Sequence, residues 1–177
     1  MKHILVIAAG VLALVACGKP TEKAAEKAIE SQIAKDGGSA KVDLSGGGVK
    51  MTTTDASGKT TQMEMGTAKV SEADIGLSFY PGTQPRAGEA SKISSSDGTM
   101  VTVMLHSEDA PDKVAGFYRD KLKAQAQGKQ FSETSGDGSH MLMLADDKNK
   151  QVTQVMVGKG EVKGSDIQII ASSGAAK

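Results

Sequence analysis

Between residues 99 and 107 the side chains alternate without a break. Val101, Val103 and Leu105 fall on one side and Met100, Met104 and His106 on the other. A two-residue period over nine positions specifies a β-strand with two different faces. Similar but shorter runs surround it, at 90–95, 130–134, 140–145, 151–157 and 166–172. Asp97-Gly98, Ser135-Gly136-Asp137-Gly138 and Asp147-Lys148-Asn149 supply the turns between them,. One helix interrupts the strands. Asp109 stands at its N-cap, Pro111 in its first turn and Gly128 beyond its end,. Val114, Phe117, Tyr118 and Leu122 form its apolar side,. The expected fold over residues 77–172 is α+β, a small antiparallel sheet with one packed helix in β-β-α-β-β-β order.

Upstream the pattern thins. Residues 21–36 read as a helix, with Thr21 at its cap, Gly37-Gly38 at its end and a narrow stripe of Ala25, Ala28, Ile29 and Ile33,. Glu26 and Glu30 have Lys23 and Lys27 three positions before them, a spacing that allows ion pairs on the helix surface,. Val49–Thr54 and Lys59–Met65, separated by Asp55-Ala56-Ser57-Gly58, read as a β-hairpin,. Gly46-Gly47-Gly48 reads as a flexible linker. This N-terminal helix and β-hairpin region, 21–76, is poor in large apolar residues and needs a surface to pack on. Leu, Ile, Val and Phe total only 34 of 177 residues, so any core is small. Residues 173–177 are expected to be loose.

The first 17 residues set an expected address. Lys2 precedes an uncharged run from Ile4 to Ala16, too short to cross a bilayer as a helix,. Its length and flanks fit the apolar region of a signal peptide, residues 1–16. The run ends in Leu14-Val15-Ala16-Cys17, which resembles the lipobox of bacterial lipoproteins: Leu at −3, a small residue at −1, Cys at +1. In that family the Cys thiol receives a diacylglyceryl group, the leader is cut before it, and the new amine is acylated. Cys17 is the sole cysteine, and three acyl chains would hold it firmly to a membrane. Residues 17–20 then act as lipidated anchor and tether. Gly18 stands where enteric lipoproteins kept at the inner membrane carry Asp, so the resemblance implies an outer-membrane, periplasm-facing location.

The rest of the chain resembles a widespread group of small bacterial envelope lipoproteins. The shared features are a charged helix, a hairpin like Val49–Thr53, a Tyr80-Pro81-Gly82 turn and a helix carrying Phe117-Tyr118-Arg119-Asp120-Lys121-Leu122. The resemblance implies a fold shape and an address, and it brings no activity.

Candidate chemistry is sparse. Lys+Arg and Asp+Glu both number 21, so no broad basic surface for nucleic acid is implied. A single cysteine excludes an intramolecular disulfide and a multi-cysteine zinc site. His106 and His140 lie on strands, without a local metal-binding pattern,. The serines at 94–96 sit at a hairpin turn, and no nucleophile elbow occurs,. Asp146-Asp147-Lys148-Asn149 lacks the glycine and glutamate of a calcium loop,. The methionines are the unusual element. Met51, Met63, Met65, Met100, Met104, Met141, Met143 and Met156 follow the leader. Met63-Glu64-Met65 and Met141-Leu142-Met143 each place two sulfurs on one strand face. Methionine fills cores and adaptable binding surfaces, and thioethers also bind Cu(I). The expected function is a lipid-anchored, non-catalytic structural or interaction module of the cell envelope, with no cofactor, no metal and no catalytic residue. Its expected partners are the membrane, through Cys17, and an envelope protein. The alternative is a periplasmic small-ligand or metal binder using the Met-rich sheet face.

Overall fold

The computed structural model describes residues 21–161 and 163–174. Cys17 and the leader lie outside them. The chain runs α1 (Glu22–Lys35), β1 (Ser39–Asp43), β2 (Val49–Thr54), β3 (Thr60–Met65), α2 (Glu72–Ile75), β4 (Ala90–Ser95) and β5 (Gly98–Ser107). It continues with α3 (Pro111–Ala124), β6 (Gln130–Gly136), β7 (Ser139–Asp146), β8 (Gln151–Lys159) and β9 (Ser165–Gly174).

All nine strands form one antiparallel sheet in the order β1-β2-β3-β4-β5-β9-β8-β7-β6. This corrects the expected small sheet with one packed helix. The hairpin β2–β3 does not pack on the following region. It extends the same sheet, with Met63 opposite Ile93 and Met65 opposite Ser91. The physical reason is that the hairpin has too little apolar surface to form a layer, whereas β3 has a full row of free backbone groups that β4 satisfies. Among the described residues three α-helices accompany the sheet: the two expected, α1 and α3, and the short α2, which was not expected.

The core lies on one face, here called the inner face. Val101, Val103 and Leu105 of β5 meet Ile167 and Ile169 of β9, Val155 and Val157 of β8, and Leu142 and Leu144 of β7. Above them α3 buries Val114, Ala115, Tyr118 and Leu122 completely. Phe117, expected among these, is only half-buried. The helix starts with Ala110 at its N-cap and Pro111 in its first turn, and no side chain caps it. Asp109 does other work, described below.

The two sheet edges differ. Helix α1 lies against β1, where Val42 is buried. Glu30 Oε1 accepts the Val42 N–H at 2.9 Å, and Glu26 Oε1 accepts the Leu44 N–H at 2.9 Å. The expected pairs of these glutamates with Lys23 and Lys27 are not among the described ion pairs; the carboxylates close the exposed edge of β1 instead. The three glycines 46–48 are a tight hairpin turn, not a linker. Gly46 and Gly47 have positive φ, and a side chain on Gly48 would stand 2.5 Å from the Met65 carbonyl oxygen.

Candidate interaction face

Side chains opposite one another in the register share a face of the sheet. On that basis all eight described methionines point to the outer face, away from α3. One row crosses all nine strands: Val42, Met51, Met63, Ile93, Met100, Ser172, Val152, Ala145 and Gln130. A second contains Met65, Ile170 and Met143, and a third contains Met104, Met156 and Met141. Met65, Met100, Met104, Met141 and Met143 are the exposed methionines, at 37–46%. Met141 Sδ accepts a hydrogen bond from Gln154 Nε2 at 3.5 Å.

Charge is sorted just as sharply. Lys41, Asp43, Lys50, Glu64, Lys92, Glu133, His140, Asp146 and Lys159 all occupy inner-face positions in the strands. The outer face carries one acid, Asp166, whose Oδ1 lies 3.0 Å from His106 Nδ1. This pair sits at one margin, beyond the methionine rows. Helix α1 covers Val42, so the open part of this face is the 8, 8 and 5 positions that the three rows occupy on β2–β9; at about 4.8 by 6.8 Å each they give an uncharged band of about 700 Å². A charge-poor patch enriched in methionine has the composition of an interface core.

The inner side holds the aromatic residues. The Tyr80-Pro81-Gly82 turn docks on α3: the Tyr80 and Phe117 rings meet edge-on at 5.2 Å, as do Phe117 and Tyr118 at 5.1 Å. The Tyr80 N–H donates to the Tyr118 hydroxyl oxygen at 2.9 Å. Burial raises the Tyr118 phenol above its ordinary value,. Tyr80 donates its own hydroxyl to Asp109 Oδ2 at 2.6 Å, and Lys113 Nζ lies 2.9 Å from Asp109 Oδ1. The Tyr80 hydroxyl and then Lys113 lower the Asp109 pKa. The two short sequence motifs therefore form one junction.

The two histidines do not meet. His106 lies on the outer face and His140 on the inner. Among the described residues no group of three or more His, Cys, Asp or Glu side chains could hold a metal ion. His140 does join a chain that sequence reading missed. Its Nδ1 lies 2.8 Å from Ser135 Oγ and its Nε2 lies 2.8 Å from Asp112 Oδ1. No motif announces it, because α3 and the β6–β7 hairpin supply its members from distant segments. The Asp112 side chain is 90% exposed, so water screens it. The contact ties the start of α3 to the hairpin. Next to it Arg119 Nε donates to Glu133 Oε2 at 2.8 Å, and that guanidinium holds the Glu133 pKa below its usual value.

The Asp146–Asn149 segment is a turn, as read. Asp146 accepts both the Asn149 N–H and its side-chain amide. The Ser94–Gly98 segment likewise forms the β4–β5 hairpin. Two open clefts of about 220 and 230 Å³ lie at the Thr99–Ser173 end of β5 and β9.

One carboxylate gives a direct pH readout. Asp74 closes the cap of α2: it accepts the Ser71 hydroxyl at 2.6 Å and the Ser71 N–H at 2.9 Å, with Lys92 Nζ at 2.9 Å. These donors, Ser71 first, lower its pKa from 3.8 to about 2. The folded value is depressed, so the cap's contribution is complete above the ordinary 3.8 and is lost as pH falls through about 2,. Carboxyl-carbon NMR should place the Asp74 midpoint near 2, and Ser71→Ala should move it upward. An unshifted midpoint in the parent protein would contradict the cap geometry.

Residues 88–166 match the family model described as START domain-like. The match runs from just before β4 to the start of β9 and covers less than half of the chain. No curated protein and no solved structure matches the chain. The stretch of this chain from 88 to 166 is therefore similar to a START-like domain.

Proposed function

We propose that the protein is a lipoprotein of the bacterial cell envelope, held at the outer membrane by acyl chains on Cys17, and that it acts as a non-catalytic binding module. Its working surface is the outer face of the sheet. The observation that carries this reading is the gathering of all eight described methionines on one face that is almost free of charge. The lipobox residues Leu14-Val15-Ala16-Cys17 support the address. The START domain-like match over 88–166 is compatible with binding as the task. The inner face offers less, because α3 fills the space above β7–β9 with fully buried side chains and Ile75, Leu77 and Tyr80 join the same core.

A second reading, a soft metal on the same face, is favoured by one arrangement. Met141 lies directly opposite Met156, and Met143 is the diagonal neighbour of Met156, so three methionine positions adjoin across β7 and β8,. Cu(I) accepts such ligands.

Methionine oxidation by dilute peroxide separates these readings. The five exposed methionines should oxidise readily in purified, dilute protein and be protected in intact envelopes. Protection of Met141 and Met143 alone, gained on adding Ag(I) as a redox-inert stand-in for Cu(I), selects the metal reading,. Equal oxidation in both settings sinks the working-surface reading. In the same experiment Cys17→Ser protein should leave the membrane fraction, and the parent's N-terminal peptide should carry acyl chains. An unmodified thiol would overturn the address.

A further inference from the structure

We propose that the outer face is covered by a second copy of this chain, the two sheets stacked methionine face to methionine face. The inference rests on the reading that this face is the working surface, and it names the partner.

Three observations carry it. First, the uncharged band of about 700 Å² approaches the ~800 Å² that each partner contributes to a standard stable interface. Second, a two-fold contact sets a surface against itself, so like charges on it would meet. Here the strands send their charged side chains to the inner face, and Asp166 stays at the margin beside His106. The chain also has balanced charge, with 21 basic and 21 acidic residues. Third, two sheets stack at about 10 Å with interdigitated side chains. Unbranched methionines at alternating positions suit that spacing because their rotamers adapt to the crossing angle.

Other occupants fit less well. A bilayer interface favours Trp, Tyr and a basic rim. The chain has no Trp, and Tyr80 and Tyr118 lie in the core on the inner side. A strongly charged partner would find no complementary charge on the band. Assembly through strand edges is blocked at β1 by Glu26 and Glu30 of α1.

The test uses the full acylated chain in native membranes. Cys17 is the sole cysteine and is acylated under this proposal, so single cysteines introduced elsewhere report alone. Met100→Cys and Met104→Cys mark the outer face, and Lys50→Cys marks the inner. A short bis-maleimide should link the two outer-face variants into a species of twice the chain mass and leave Lys50→Cys unlinked. Native mass spectrometry in mild detergent should show the parent as a dimer. The double variant Met100→Lys/Met104→Lys should raise the dimer dissociation constant by about two orders of magnitude, because four ammonium groups would enter the contact. Both positions are exposed in the single chain, and circular dichroism checks that the variant stays folded. A monomeric parent without outer-face self-linking overturns the second copy. In that event protected methionines in the peroxide experiment would still uphold the working surface with a different partner. Equal oxidation would remove both.

Discussion

Replacing Tyr118 with alanine is expected to lower the unfolding free energy by about 3–5 kcal/mol, the usual cost of emptying an aromatic site in a core. Tyr118 is fully enclosed. Its ring packs edge-on against Phe117, and its hydroxyl accepts the buried Tyr80 N–H. Alanine would leave a void under α3 and strand that N–H without a partner. The conservative Tyr118→Phe isolates the second effect and should cost about 1–3 kcal/mol. Urea unfolding at neutral pH measures both. A loss under about 1 kcal/mol for Tyr118→Ala would mean that α3 is not held to the sheet by this junction.

Gly164→Ala should also be severe. Gly164 has φ +78°, and a Cβ there would stand 2.0 Å from the Ser107 carbonyl oxygen and 2.7 Å from the Glu108 Cα. The obstructing atoms are backbone, so no side chain can swing aside. Left-handed strain and overlap together should cost about 3 kcal/mol or more. Gly46 supplies the control. Its φ is +74°, yet nothing lies within 4 Å of its ideal Cβ. Gly46→Ala therefore bears the conformational cost alone, about 1–2 kcal/mol. Equal losses at the two sites would show that the β8–β9 connection yields where the geometry says it cannot.

The strands were largely legible. Alternation marks β4 and β5 almost to the residue, and β6–β9 extend the expected runs by one or two positions at their ends. The hairpin's strands were legible but its register was not: the four-residue turn 55–58 is a five-residue loop, 55–59, which sets Thr54 opposite Thr60 rather than Lys59. What escaped was the joining of β3 to β4. Their pairing is made by backbone groups that every residue carries, across a connection from 66 to 89, so no side chain signals it. That one join turns a small sheet and a separate hairpin into eight strands, and β1 (Ser39–Asp43), which no expected run covers, adds the ninth. It also sets the methionines of 51–65 on the same face as those of 100–156. The clustering of sulfur along single strands was visible; its continuity across the sheet was not. Glu26 and Glu30 were misread for a related reason. Their acceptors' partners are edge N–H groups that exist only once β1 has formed. Asp109 looked like a helix cap, but the Tyr80 hydroxyl and Lys113 claim its carboxylate.

Seven of the eight strand pairings join neighbours in sequence, and only β5–β9 is long-range. Its register runs from Gly98 opposite Gly174 to Ser107 opposite Ser165. Two meanders can thus zip up locally and quickly, while their seam must wait for α3 and three further strands to be laid down. Until β9 arrives, Val101, Val103 and Leu105 border an open edge. A chain made from its N-terminus passes through this half-built stage, when protection of nascent β-sheet edges matters most.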